Sequence, residues 1–171
     1  HWRVVIEHIR ILGIDPGTVR MGYGILEETD SEVVAVTWGA LTASSSLSLG
    51  PRLYRIYSQL VGLLSEYSPD VVAIEEPFVS TNPRTAMAIG QAQGLALLVA
   101  AEKNIPVHGY PPRKVKHAIT GNGAATKEQI QQATMLHLTL AAPPVPDDAA
   151  DALAVALCHI QEARLDLLTR S

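Results

Sequence analysis

The stretch ILGIDPGTVRMGYGIL, residues 11–26, sets one carboxylate, Asp15, at the end of an apolar run and follows it at once with Pro16 and Gly17. RILGIDPG (10–17) reads as a β-strand ending at a turn, and MGYGILEE (21–28) alternates well enough for a second strand returning from it. Burying an unpaired carboxylate at such a strand end costs on the order of several kcal/mol. A cation, a metal or a phosphate-bound metal has to compensate Asp15, and the rest of the chain must say which.

Working outward, EVVAVTWGALTA (32–43) makes a third strand, so the chain opens on an antiparallel meander. SSSLSLGP (44–51) reads as a loop. In RLYRIYSQLVGLLSEYS (52–68), Leu53, Ile56, Leu60, Leu63 and Leu64 fall at helical spacing. PDVVAIEEP (69–77) is a short buried strand. PRTAMAIGQAQGLALLVAAEKN (83–104) is apolar on nearly every side, which predicts a helix buried by more than one neighbour. Within it, Gly90 and Gly94 stand four apart and leave room for another backbone. IPVHGYPP (105–112) is a further strand, and helices are predicted over 113–121, 126–139 and 147–168. Thr126 with Gln129 forms a T-x-x-Q capping box. With no repeat and no dividing linker, the chain reads as one α/β domain over residues 1–171, a meander followed by αβα crossovers.

The composition narrows the function class. Hydrophobic residues at 47% and charged residues at 18% describe a globular chain, not a disordered one. A single cysteine, Cys158, excludes a disulfide scaffold and fits a reducing, cytoplasmic setting. No apolar run approaches the ~20 residues that span a bilayer, LALLVAA (95–101) being far too short. HWRVVIEH is no signal peptide, and the start on His1 suits trimming or an expression remnant within residues 1–9. The formal charge of −4 argues mildly against nucleic acid, yet between Lys103 and Lys127 the cations Lys103, Arg113, Lys114, Lys116 and Lys127 stand without an acidic residue among them.

Acids set among apolar residues carry the chemistry. Asp15 ends the first strand, and Glu75 ends VVAIE, followed by Glu76. Asp148 and Asp151 lie at i, i+3, one face of the start of the last helix. Strands that end together with a helix start across them would gather four carboxylates. Like charges ~4 Å apart repel by roughly 4 kcal/mol at an effective dielectric of 20, so divalent cations or protons must offset such a cluster. Oxygen donors without His or Cys favour Mg²⁺ or Mn²⁺ over Zn²⁺, and two such ions serve in-line displacement at phosphorus. Simpler roles stand beside this one: Asp15 as a turn residue, Glu75 and Glu76 as a solvated strand exit, Asp147 or Asp148 as a helix cap. His108, His117, His137 and His159 lack metal-ligand spacing and read as packing or surface residues, with His117 a further phosphate contact beside Lys116.

In their order and spacing, LGIDPGTVRMGYG, AIEEPF, GQAQG, YPPRKVKHAITGNGAATKEQI and DDAADALAVAL resemble the RuvC-type Holliday junction resolvases of the ribonuclease-H-like superfamily, over nearly the whole chain. The resemblance implies a central five-stranded mixed sheet flanked by helices and a homodimer with two active sites. It implies Mg²⁺-dependent endonuclease activity, with Mn²⁺ substituting and two ions per site, that resolves four-way DNA junctions by paired symmetric nicks in recombination and repair. Asp15, Glu75, Asp148 and Asp151 match the catalytic, metal-binding acids. Some relatives carry His where Asp148 stands, and Asp147 is an adjacent acid. Phe78 matches an aromatic that stacks on bases near the crossover. Thr81, Asn82, Arg84 and Arg113 are candidate DNA contacts, while Lys116 and Lys127 match lysines beside the active site. The helix with Gly90 and Gly94 resembles the family's dimer helix, and the RuvAB branch-migration proteins are the implied partners. Two alternatives remain: a RuvC-like nuclease on other structured nucleic acid, such as the YqgF-type relatives, and an actin-like ATPase, whose first phosphate loop resembles GIDPGTVRMGYG. The second needs two lobes, for which the chain is too short.

Overall fold

Residues 8–30, 32–76 and 82–170 are described in a computed structural model of the chain. Ile9–Asp15 (β1), Arg20–Glu28 (β2) and Val33–Thr42 (β3) form the expected antiparallel meander. Val71–Glu75 (β4) lies parallel to β1, and Val107–Tyr110 (β5) lies parallel to β4. The result is a five-stranded mixed sheet of order β3-β2-β1-β4-β5, with β1 at its centre. Flanked on both faces by helices, it is the predicted ribonuclease-H-like arrangement.

Alternation along the strands divides the core in two. Leu12, Ile14, Met21, Ile25, Val72 and Ile74 point to one face, where they meet Leu49–Tyr67 (α1) and Pro83–Glu102 (α2). Ile11, Leu26, Val71 and Ala73 point to the other, against Pro112–Thr120 (α3), Lys127–Leu138 (α4) and Asp147–Thr169 (α5).

Three expectations are corrected here. The loop expected over 44–51 ends early, because α1 already begins at Leu49. Pro51 falls in its first turn, where a missing N–H breaks no intrahelical bond. Next, α2 was expected to be buried by more than one neighbour. It buries only Ala92, Ala96, Val99 and Ala100, leaving Met87, Leu97 and Leu98 at 65%, 51% and 55% exposure. Its apolar outer face has no cover among the described residues. Third, neither Asp147 nor Asp148 caps α5: Pro146 holds the N-cap position, and both acids stand in the first turn with side chains turned to other partners. The capping box of α4 is formed, with Gln129 N–H donating to Thr126 Oγ1 at 3.2 Å and Thr126 N–H to Gln129 Oε1 at 2.9 Å.

The seating of α5 is the feature that positions the site. From Ala149 to Ile160 it is buried on most sides, between the sheet and α3 and α4. It approaches β1 and β2 so closely that a Cβ at Gly13 would collide with the carbonyl of Ala152, and one at Gly22 with the carbonyl of Asp148. Glycines on neighbouring strands thus form a floor that lets the start of α5 rest at the ends of β1 and β4. No described helix is long and apolar enough to cross a membrane.

Candidate active site

The parallel ladder between β1 and β4 pairs Ile14 with Ile74, so the next residues, Asp15 and Glu75, leave the sheet at the same level. Both continue the alternation of the face that carries α5. Asp148 and Asp151, one turn apart on α5, come down onto that strand end. Asp15, Asp148 and Asp151 each bring a carboxylate oxygen within 4.8 Å of the other two. Glu75 stands outside this trio, yet its charge is the foremost of the neighbouring charges acting on Asp15.

The electrostatics follow from burial and crowding. Asp15, desolvated by burial and facing Glu75, Asp151 and Asp148, is pushed up from 3.8 to about 8. Glu75 is raised to about 7 by burial and by Asp151, against the opposing pull of Lys116 and Lys127. Burial raises Asp151 as well, although Lys127 opposes it. The Lys127 ammonium lies 3.8 Å from Asp151 and 3.6 Å from Asp147. A cavity of about 250 Å³ opens here, lined by Glu75, Lys116, Lys127 and Asp151 over Val115, Ile130 and Ala154. A groove of about 820 Å³ between α3 and α4 is larger but holds a single acid, Glu128, and no cluster.

This donor set fits a hard divalent cation. Its acids offer oxygen only, they crowd one another, and burial together with the neighbouring acids raises Asp15 well above the usual carboxylate range, a cost that a bound cation would offset. Of the four expected acids, Asp15, Asp148 and Asp151 are brought together, and Glu75 stands beside them.

The expected DNA contacts divide. Lys116 and Lys127 flank the acids, as described. Arg113 is exposed at the start of α3, its Cγ against Gly123, where a Cβ would lie 3.0 Å away. Arg84 is exposed at the start of α2. Asn82 has a structural task besides, its Oδ1 accepting from the N–H groups of Arg84 at 3.0 Å and Thr85 at 3.4 Å as the N-cap of α2. Phe78 and Thr81 lie outside the described residues. His117 is exposed on α3, as expected. The histidines are less scattered than their spacing suggests: the His108 and His159 rings lie tilted at 39° with centroids 5.0 Å apart, and Tyr110 Oη meets His159 Nδ1 at 2.6 Å.

One residue of the site was not expected. Arg20, at the start of β2, sets Nε 3.1 Å from Asp148 Oδ2. It belongs to the opening motif, and the only signal for it was a cation five residues after Asp15, across a tight turn.

A family model for the crossover junction endodeoxyribonuclease RuvC matches residues 11–159. The chain belongs to the RuvC family. A RuvC from Roseiflexus sp. strain RS-1 is 49% identical over 154 residues, covering 90% of this chain and 92% of that one. Another from Syntrophomonas wolfei is 45% identical over 163 residues, 95% of each chain. Among solved structures, Thermus thermophilus RuvC in complex with a Holliday junction substrate superposes with a TM-score of 0.88 at 32% identity, covering 92% of this chain and 96% of that one. The yeast mitochondrial Holliday junction resolvase Ydc2, at 17% identity and a TM-score of 0.66, shares the fold. The expected family and fold class both hold.

Proposed function

We propose that this RuvC-family chain is an endonuclease that resolves four-way DNA junctions by paired symmetric nicks, with residues 1–171 acting as one nuclease domain. In this reading Asp15, Glu75, Asp148 and Asp151 are the catalytic acids and hold two Mg²⁺ ions, for which Mn²⁺ substitutes. The observation that carries it is the convergence of acids from three distant segments on one strand end, with Asp15 raised to about 8. When bound, the ions supply an activated water and charge stabilisation at phosphorus.

The chain's own residues do the rest. The ends of β1 and β4 fix Asp15 and Glu75 on rigid backbone, and α5 fixes the other two. Lys116 and Lys127 hold the DNA backbone beside the acids, with Arg113, Arg84, Asn82 and Thr81 as outlying contacts and Phe78 as a base-stacking residue. The uncovered apolar face of α2, with Met87, Leu97 and open space at Gly90 and Gly94, supports a homodimer whose two sites cut two strands of like polarity. The RuvAB proteins as partners rest on the family resemblance alone.

The test is cleavage of a labelled synthetic four-way junction against matched linear duplex, with Mg²⁺, Mn²⁺ or EDTA, for the wild type and Asp15→Asn. Paired, ligatable nicks on the junction alone are expected. EDTA and Asp15→Asn should each abolish them, while the variant still binds the junction. Equal cutting of linear duplex would remove the junction specificity, and normal cutting by Asp15→Asn would overturn the site assignment.

A further inference from the structure

Asp148 has two claimants. Its carboxylate lies within 4.8 Å of those of Asp15 and Asp151 inside the acidic cluster, and it also takes the Arg20 guanidinium at 3.1 Å. Arg20 is a well-anchored cation. It pairs with Thr42 in the sheet, and its carbonyl packs so tightly on Gly17 that a Cβ there would collide with it. The side chain beyond that anchor is half exposed, so it can leave Asp148 without unfolding anything. The second contact between a cluster acid and a cation, Lys127 to Asp151, is looser at 3.8 Å. Arginine keeps its charge at any pH at which the protein is folded, and its hydrogen bond to a carboxylate is charge-assisted. A divalent cation seeking Asp148 therefore meets a permanent competitor.

We propose that Arg20 is a displaceable counter-ion for Asp148, which weakens divalent-cation binding at the cluster and cedes the carboxylate when the cation enters. It is a positioning residue: it holds Asp148 in place while the cation is absent and sets the concentration at which the cation takes over. The proposal rests on reading Asp148 as a cation ligand. Through that carboxylate, Arg20 would make this chain's metal requirement differ from that of a relative with a neutral residue at the same place.

The experiment is a calorimetric titration of the full chain with Mn²⁺ alone, without DNA, for the wild type, Arg20→Gln, Arg20→Lys, Asp148→Asn and the Arg20→Gln/Asp148→Asn double variant. Arg20→Gln should bind Mn²⁺ more tightly by about two- to fivefold, the factor equivalent to a half-exposed ion pair. Arg20→Lys, which keeps the charge, should lie nearer the wild type and carries the comparison if Arg20→Gln folds poorly. Asp148→Asn should bind more weakly, and adding Arg20→Gln to it should change nothing further. Unchanged or weaker binding by Arg20→Gln, with Asp148→Asn weakened, would overturn the role of Arg20 and leave Asp148 a ligand. A gain that persists in the double variant would reduce Arg20 to a general field effect and overturn the contact. Wild-type affinity in Asp148→Asn would overturn both the ligand reading and the proposal.

Discussion

Replacing Gly22 by alanine probes whether the close seating of α5 on β2 builds the acidic site. Gly22 faces Asp15 across the β1–β2 ladder. A Cβ there would strike the Asp148 carbonyl and lie 2.8 Å from the Cβ of Asp148. Unstrained carbon–carbon contacts lie at ~3.5–4.0 Å, so the start of α5 must lift by roughly 1 Å. The obstacle is helix backbone, which cannot swing aside as a flexible side chain would. Overpacking of this kind costs about 1–3 kcal/mol, and a misplacement of ~1 Å in a catalytic group costs about 100-fold in rate. Gly22→Ala should therefore lose about 1–3 kcal/mol in urea unfolding, and its nicking of a four-way junction at saturating Mg²⁺ should slow about 100-fold. Junction binding should change little. Gly62→Ala is the control: Gly62 sits in α1 with nothing within 4 Å of an added Cβ, so alanine should stabilise by about 1 kcal/mol and leave nicking intact. A Gly22→Ala protein that unfolds and nicks like the wild type would refute the claim that the glycine floor sets the carboxylate geometry.

Two further outcomes follow from the same structure. Asp15 and Glu75 hold protons in the folded state up to about 8 and about 7, well above their ordinary 3.8 and 4.5. Their stabilising effect is complete below those ordinary values and is lost as pH rises through the folded values. Urea unfolding in EDTA should show stability falling between pH 5 and 8, with Mg²⁺ flattening the fall; a flat or rising profile in EDTA would contradict the raised acids. Asn82→Ala should remove the cap of α2 and cost about 1 kcal/mol in urea unfolding, whereas Asn82→Asp keeps an accepting oxygen and should retain stability. If only the aspartate variant also loses junction affinity, Asn82 lies against the DNA backbone.

Much of this protein was legible because it is local. Alternation in MGYGILEE, the short apolar run VVAI and helical spacing in 52–68 marked elements that formed, since each reports how a segment meets the core. The loop expected over 44–51 extends past the true start of α1 at Leu49, because Ser, Gly and Pro suit turns, whereas Pro51 in a first turn is compatible with a helix. The burial of α2 was overestimated because apolar residues on several faces show that cover is needed, without showing that this chain supplies it.

The sequence by itself determined the strand-ending carboxylates, the spacing of Asp148 and Asp151, the basic segment before α4, and the family resemblance. These are properties of residue type and neighbour distance along the chain. Only the tertiary structure decided that Asp15, Asp148 and Asp151 meet, that Glu75 exits beside them, and that Arg20 takes Asp148 from the outside. It also decided that Gly13 and Gly22 form the floor on which α5 lies. The physical reason is that a pKa, an ion pair and a close backbone approach depend on through-space distance and exclusion of water. Both are set by how α5 packs on the sheet, more than 120 residues of chain after the motif it completes.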